Sequence, residues 1–160
     1  MLSREGEQRV AELMATLNNT AMQAMVAAQA HAATDITGFG LLGHLWEMAR
    51  ASGVSFDLTA SAIPVLPETF DAVAAGAVPG GSKANRAHLE AEGAVAFDPD
   101  VAEPVRVVLT DANTSGGLAI AVAPERCALL LEMLTRHGTP AQAVIGRVTA
   151  DAPGLIRVHR

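Results

Sequence analysis

The 160 residues of the chain are enough for one ordinary domain with a full core, so we expect a single domain spanning residues 1–160. The formal net charge of -6 and an aromatic content of four Phe, one Trp and no Tyr argue against nucleic acid as a partner, since neither a basic patch nor a stacking surface is available. The charged N-terminal segment 1–7 has no signal-peptide apolar region, and no apolar run reaches the roughly 18 residues of a membrane span. With a single cysteine, the chain is expected to be cytoplasmic, without a membrane partner.

Hydrophobic periodicity predicts helices and strands in alternation. Two consecutive helices are predicted up to about Ala30, followed by a short link from Ala32 to Ile36 and a helix that ends at Gly53. The later elements are a strand at 54–58, a helix at 67–75, a glycine-rich loop at 76–82, a helix at 83–91, a strand at 94–97, a polar loop at 111–117, a strand at 118–122, a helix at 124–137, and strands at 144–148 and 155–158. Residues 103–109 fit a strand by their β-branched side chains and a helix by their position after a turn. This alternation predicts an α+β domain in which helices cover a sheet.

The predicted start of the third helix combines one carboxylate with three glycines, in the segment Thr34-Asp35-Ile36-Thr37-Gly38-Phe39-Gly40-Leu41-Leu42-Gly43-His44. A helix N-terminus offers unpaired N–H groups and a partial positive charge, which favour phosphate. The carboxylate of Asp35 would repel that phosphate unless a cation lay between them. The segment therefore predicts a metal-bridged phosphate site.

The same glycines match the G-x-G-x-x-G pattern of dinucleotide-binding proteins, and Asp57 follows at about the distance, roughly 20 residues, that this pattern requires. That interpretation is disfavoured because residues 29–34 lack the character of a β-branched strand, and because Asp35 would repel a pyrophosphate. Close helix packing would explain Gly43, but it leaves Asp35 unexplained.

Two further loops have a similar composition, Pro79-Gly80-Gly81-Ser82 with Asn85 after it, and Asp111-Ala112-Asn113-Thr114-Ser115-Gly116-Gly117. Paired glycines let a backbone approach a ligand closely, and Ser, Thr and Asn supply neutral donors. Each loop alone is typical of an ordinary turn. Three of them in one small domain predict a shared polar face.

The segment from Thr34 to His44 resembles the signature that opens the C-terminal half of the selenophosphate synthetases (selenide, water dikinases). The Pro79–Ser82 and Asp111–Gly117 loops follow in the order and at the spacing of that family, and the resemblance extends from about Leu17 to Val158. The sequence departs from the family at Ala112-Asn113, where Pro-Gln is usual, and at Ser82, where Thr is usual. These departures weaken the second and third motifs more than the first.

The resemblance implies a three-layer α/β/α domain with a mixed sheet, partly ferredoxin-like, that packs against an N-terminal ATP-binding domain. It implies ATP, selenide and water as substrates, Mg²⁺ as cofactor, and selenophosphate, AMP and phosphate as products. Asp35 matches an aspartate of the family's Mg²⁺–phosphate site. Thr37, Gly38 and Gly40 are expected to contact phosphate. Mg²⁺ is usually held by a few carboxylates together with phosphate oxygens, which agrees with this assignment.

The features that the family carries in its N-terminal half are not found in this sequence: the glycine-rich nucleotide segment, the reactive Cys or selenocysteine with its lysine, and most metal-binding aspartates. Cys127 shares a helix face with Leu130 and Leu134 and is expected to be a buried packing residue. We therefore expect no catalytic residue in this chain and no turnover by the chain alone. His44 is expected near Glu47 on a solvated helix face.

Two alternatives stay open at this stage. The first is another ATP-using enzyme of the wider aminoimidazole-ribonucleotide-synthetase superfamily, related to hydrogenase-maturation or thiamine-phosphate kinases, which the specific string around Asp35 disfavours. The second is a non-catalytic binding or assembly module. A hydrophobic flank is expected where a partner domain would pack, so a homodimer is a further expectation.

Overall fold

The computed structural model describes residues 3–160. Met1 and Leu2 lie outside the described residues, and they belong to the segment 1–7 in which no signal-peptide apolar region is predicted. The helices are α1 (Arg4–Ala15), α2 (Asn19–Ala27), α3 (Gly40–Ser52), α4 (Glu68–Ala74), α5 (Gly80–Ala91), α6 (Glu103–Leu109) and α7 (Pro124–Arg136), with a 3₁₀ turn at Ala60–Ala62. The strands are β1 (Ala32–Asp35), β2 (Ser55–Thr59), β3 (Val95–Phe97), β4 (Leu118–Ala121), β5 (Gly146–Thr149) and β6 (Ile156–His159).

Strands β1 and β4 form an antiparallel ribbon with helices on both faces. Side chains of neighbouring strand residues lie on opposite faces. Ile120 of β4 packs with α2 and α7, whereas its neighbour Ala119 belongs to the main core with α3. Ala24 and Leu130 are buried where α2 meets α7. The ribbon is thus the middle layer of an α/β/α arrangement.

The other strands form a four-stranded mixed sheet in the order β3-β6-β2-β5. Strand β2 runs parallel to β6 and antiparallel to β5, and β3 runs parallel to β6. Its inner face buries Phe56, Leu58, Ile156 and Val158 in one core with α3. Helix α3 contributes residues at helical spacing, Leu42, Leu45, Trp46 and Ala49, all buried. The predicted α+β class, with helices and a mixed sheet, is confirmed.

The structure corrects the predicted link at Ala32–Ile36, since residues 32–35 form strand β1. Its residues Ala-Ala-Thr-Asp carry little strand propensity, and the pairing comes from β4, more than 80 positions later, with Asp35 opposite Leu118. A strand therefore does precede the glycine pattern. It pairs antiparallel with β4 and lies in a different sheet from β2, so the parallel β-α-β unit of a dinucleotide-binding fold is not formed.

One open alternative is settled by the structure, and two smaller boundaries differ from the prediction. The ambiguous segment 103–109 is helix α6, with a proline in its first turn, where proline suits a helix. The loop predicted at 76–82 ends at Pro79, because Gly80 already begins α5. The strand predicted at 144–148 is β5, Gly146–Thr149. Among residues 3–160, no helix is long and apolar enough to cross a membrane.

Candidate functional site

The turn between β1 and α3 carries the predicted site residues. Strand β1 ends at Asp35, which is exposed, and Ile36 is buried directly after it. The Ile36 N–H donates to the Gly117 carbonyl (2.9 Å), and the Gly116 N–H donates to the Ile36 carbonyl (2.8 Å). A Cβ on Gly116 would lie 2.9 Å from the Ile36 oxygen. The loop 111–117 therefore fixes the backbone on which Asp35 stands.

Gly40 allows the chain to enter α3 against the same loop. Its φ of +69° lies in the left-handed region, and a Cβ here would lie 2.6 Å from the Asp111 carbonyl oxygen. The Gly40 N–H donates to the Thr37 carbonyl at 3.0 Å. Gly40 is thus required by the close approach of two backbones, and the phosphate contact expected of it stays a prediction.

The three glycine-rich loops lie together, as predicted. The side-chain amide of Asn85 in α5 donates to the Gly38 carbonyl (2.8 Å) and to the Thr110 carbonyl (3.2 Å). The Asn113 N–H donates to the Thr37 carbonyl at 3.0 Å. One amide therefore links the turn after β1 to the end of α6.

A hydrogen-bonded pair joins the start of α5 to the 111–117 loop. The Ser82 hydroxyl donates to the Asp111 carboxylate and accepts from the Ala112 N–H at 3.1 Å. Ser82 is 2% exposed, so its hydroxyl bonds to protein groups and does not face solvent. The start of α5 and the 111–117 loop thus support the turn.

His44 lies against the turn, and the structure corrects its expected solvated position. Its side chain is only 12% exposed. Nε2 lies 3.0 Å from the Thr37 hydroxyl, and Nδ1 lies 3.4 Å from the Glu47 carboxylate, the neighbour that was predicted. The Phe39 ring, with its centroid 5.3 Å from that of His44, covers the imidazole. The turn folds back on the helix and so removes His44 from solvent.

The remaining groups of the turn face outward. Helix α3 has no side-chain cap at its N-terminus. The Gly40 N–H is taken by the Thr37 carbonyl, so the N–H groups that an anion would use are those that follow Gly40 in the first turn. No atom lies within 4 Å of the position that a Cβ on Gly38 would take, which leaves room for a ligand. Asp35 takes part in none of the ion pairs of the described residues. The turn can offer one carboxylate to a cation and N–H donors to phosphate.

A complete metal centre does not exist within the described part of the chain, where no three His, Cys, Asp or Glu side chains are grouped to hold an ion. The donor set fits one ligand contributed to Mg²⁺, since Mg²⁺ binds through one or two carboxylates plus phosphate oxygens and waters. It does not fit a self-sufficient Mg²⁺–ATP site. Cys127 on α7 is half-buried and not fully buried as expected, and it lies outside the turn.

Sequence reasoning missed the contacts that hold the turn. Two of these contacts join residues far apart in sequence: the Ser82–Asp111 hydrogen bond and the hydrogen bond from Asn85 to Gly38. The third, between Thr37 and His44, depends on the conformation of the turn, which the sequence does not specify. The polar residues beside Gly80-Gly81 and Gly116-Gly117 were the available signal. Their composition predicts a common polar face but does not predict the hydrogen-bond partner of each side chain.

Comparison with known proteins gives a consistent result. A family model described as AIR synthase related protein, C-terminal domain, matches residues 1–158. A selenide, water dikinase of Nitratidesulfovibrio vulgaris (strain DSM 19637 / Miyazaki F) is 41% identical over 152 residues, which are 95% of this chain and 43% of that protein. Selenide, water dikinase 2 of Peptoclostridium acidaminophilum is 34% identical over 148 residues, 92% of this chain and 42% of that protein. The chain thus spans less than half the length of these relatives, and the resemblance seen in the motifs is confirmed.

Two solved structures share the fold. The hydrogenase maturation protein HypE aligns with a TM-score of 0.56 and 24% identity, over 89% of this chain and 38% of that one. Thiamine-monophosphate kinase from Stenotrophomonas maltophilia K279a aligns with a TM-score of 0.51 and 18% identity, over 81% of this chain and 31% of that one. At these identities the likeness concerns the fold alone.

Proposed function

The chain belongs to the family of AIR synthase related protein C-terminal domains, and on that basis we propose that it is the C-terminal part of a selenophosphate synthetase. The enzyme would convert ATP, selenide and water to selenophosphate, AMP and phosphate. Two relatives that match more than nine tenths of this chain are named selenide, water dikinases, which supports this substrate class. The proposal includes a cytoplasmic location and an N-terminal ATP-binding domain as partner.

The observation that carries the proposal is the exposed Asp35 at the end of β1, directly before the turn into α3, on a backbone that the 111–117 loop holds. When bound, Mg²⁺ would neutralise the charge that develops on the transferring phosphoryl oxygens. Asp35 would supply one carboxylate oxygen to the ion. The backbone around Gly38 would meet a phosphate oxygen through its N–H groups. Because the turn is braced by Asn85 and the 111–117 loop, these donors need little rearrangement when the ligand arrives.

The proposal also assigns a division of labour. The turn offers a single carboxylate, and one carboxylate cannot hold a catalytic Mg²⁺–ATP complex. The other ligands and the nucleotide site would come from the N-terminal domain. The chain by itself is then a contributor to a shared site, and we expect it to bind Mg²⁺–nucleotide more weakly than millimolar in calorimetry.

Reconstitution tests the proposal. An N-terminal domain from a selenide, water dikinase relative, supplied in trans or fused, is mixed with this chain, and ATP consumption is followed with and without selenide. We expect selenide-dependent turnover from the mixture and none from either part. Turnover that depends on thiamine monophosphate and not on selenide would instead favour the thiamine-phosphate-kinase alternative. Turnover by this chain alone would refute the shared site.

A further inference from the structure

Thr37, one of the residues expected to contact phosphate, lies in a chain of contacts with His44 and Glu47, which the phosphate and metal assignments do not use. The Thr37 hydroxyl oxygen lies 3.0 Å from Nε2 of His44. The Glu47 carboxylate lies 3.4 Å from Nδ1 of the same ring, one turn further along α3. Phe39 covers the ring, so the imidazole is held from three sides. The order is hydroxyl, imidazole, carboxylate.

The direction of the Thr37–His44 hydrogen bond depends on the tautomer of the ring, and the Glu47 carboxylate at 3.4 Å favours one tautomer of the neutral imidazole. A neutral imidazole has one N–H donor and one acceptor nitrogen, and a carboxylate can only accept. The ring proton is therefore favoured on Nδ1, facing Glu47. Nε2 is then an acceptor, and the Thr37 hydroxyl must donate to it. Since a hydroxyl has a single proton, the Thr37 oxygen keeps only lone pairs for any other partner.

We propose that His44, oriented by Glu47, is a positioning residue that commits the Thr37 proton to its ring and turns Thr37 into a pure acceptor at the site. This rests on the proposed function for its role in catalysis. An acceptor in this place takes a group that offers a proton or a positive charge, such as water bound to Mg²⁺. It does not take a bare phosphate oxygen. Phosphate contacts of the turn are thereby assigned to the backbone.

The tautomer of His44 gives a test that needs no activity. Long-range ¹H–¹⁵N spectra of the 160-residue chain distinguish the two neutral tautomers at about pH 8, where an ordinary imidazole is uncharged. We expect the Nδ1–H tautomer. The Nε2–H tautomer would overturn the proposal, because the ring would then donate to Thr37 and free its hydroxyl proton. In Glu47→Ala we expect a mixture of tautomers, and an unchanged spectrum would refute the role of Glu47.

Activity of the reconstituted enzyme tests the positioning role. His44→Leu fills the space without an acceptor, whereas His44→Gln can place an amide oxygen near the position of Nε2. We expect His44→Leu to lower kcat about tenfold, the worth of one hydrogen bond, and His44→Gln to recover most of it. Equal losses in both variants, at unchanged folding by circular dichroism, would show a structural role only and overturn the proposal. If reconstitution yields no selenide-dependent turnover, the proposed function fails while the tautomer result still decides the Thr37–His44 geometry.

Discussion

At the scale of single residues, the site depends on backbone positions that only glycine can occupy. The left-handed φ of Gly40 and the closeness of the Asp111 carbonyl leave no space for a side chain. Gly38, two positions earlier, has open space and serves no such packing purpose. The G-x-G-x-x-G match thus joins glycines with different roles. The pattern was visible in the sequence, and the distinction was not, because it depends on where loop 111–117 lies.

Gly40→Ala is expected to lower the free energy of unfolding by about 3 kcal/mol or more, since it adds a backbone clash to the cost of a left-handed alanine. Gly53→Ala is the matched control. Gly53 has a φ of +65° with nothing within 4 Å, so only the conformational cost of about 1 kcal/mol applies. Urea unfolding of both variants measures the difference, and equal losses would refute the packing role of Gly40.

The hydrogen-bond partners of polar side chains could not be predicted either, because they too depend on how distant segments pack. Asp111 and Ser82 are 29 positions apart, and their hydrogen bond exists only because α5 and the 111–117 loop are brought together. The Asp35 position, in contrast, was predictable from its place before a glycine-rich helix start. Local chemistry predicts Asp35 as a metal ligand, which stays a prediction, and non-local contacts decide which residues support the backbone at that position.

At the scale of elements, the helices were predicted more reliably than the short strands. The sequence predicts a link at β1 because Ala-Ala-Thr-Asp has neither a hydrophobic run nor β-branched alternation. Its pairing with β4 supplies what its own sequence lacks. Helix α7, in contrast, was predicted close to its observed range because its apolar face repeats at helical spacing and a proline opens it.

The packing of α7 on α2 gives a prediction at this scale. Leu130 is 5% exposed in the small core between α2 and α7, whereas its neighbour Leu129 is 36% exposed. Leu130→Ala should cost about 2–4 kcal/mol of unfolding free energy by leaving a cavity. Leu129→Ala should cost less than about 1 kcal/mol. Chemical denaturation checks both, and similar costs would contradict the packing of α2 and α7 described above.

The outer face of the four-stranded sheet carries an ionic network that responds to pH. The Thr149 hydroxyl donates to the Asp151 carboxylate (2.8 Å), and the Arg157 guanidinium pairs with it (2.8 Å). These contacts hold the pKa of Asp151 at about 2, below the usual 3.8. The folded state therefore favours the ionised form, and the resulting stability is present above pH 3.8 and lost as the pH falls toward 2.

Unfolding midpoints measured between about pH 5 and 2 should fall more steeply in the wild type than in Asp151→Asn, which cannot titrate. Asp100→Asn, at an exposed position outside this network, should follow the wild type. Identical pH profiles for wild type and Asp151→Asn would show that the network does not favour the ionised carboxylate.

At the scale of the whole molecule, the fold places one element at the junction of two sheets. Helix α3 packs against β1 of the ribbon and against β2 and β6 of the four-stranded sheet. Its N-terminus, with Asp35 shortly before it, is therefore anchored to both sheets through one shared core. The α+β class was predictable from the alternation of helices and strands, and the family from the motifs. The division into a ribbon and a separate sheet was not, because strand pairing is non-local.

The central claim is that Asp35 supplies one ligand to a metal–phosphate site completed by another domain. Selenide-dependent ATP consumption of the reconstituted enzyme, measured over a Mg²⁺ titration, tests it most directly. Asp35→Asn should lower turnover by about 100-fold and raise the Mg²⁺ concentration needed, as expected when a charge-stabilising group is lost. The exposed Asp100→Asn should behave as the wild type. An Asp35→Asn enzyme with wild-type turnover and unchanged Mg²⁺ dependence would contradict the account.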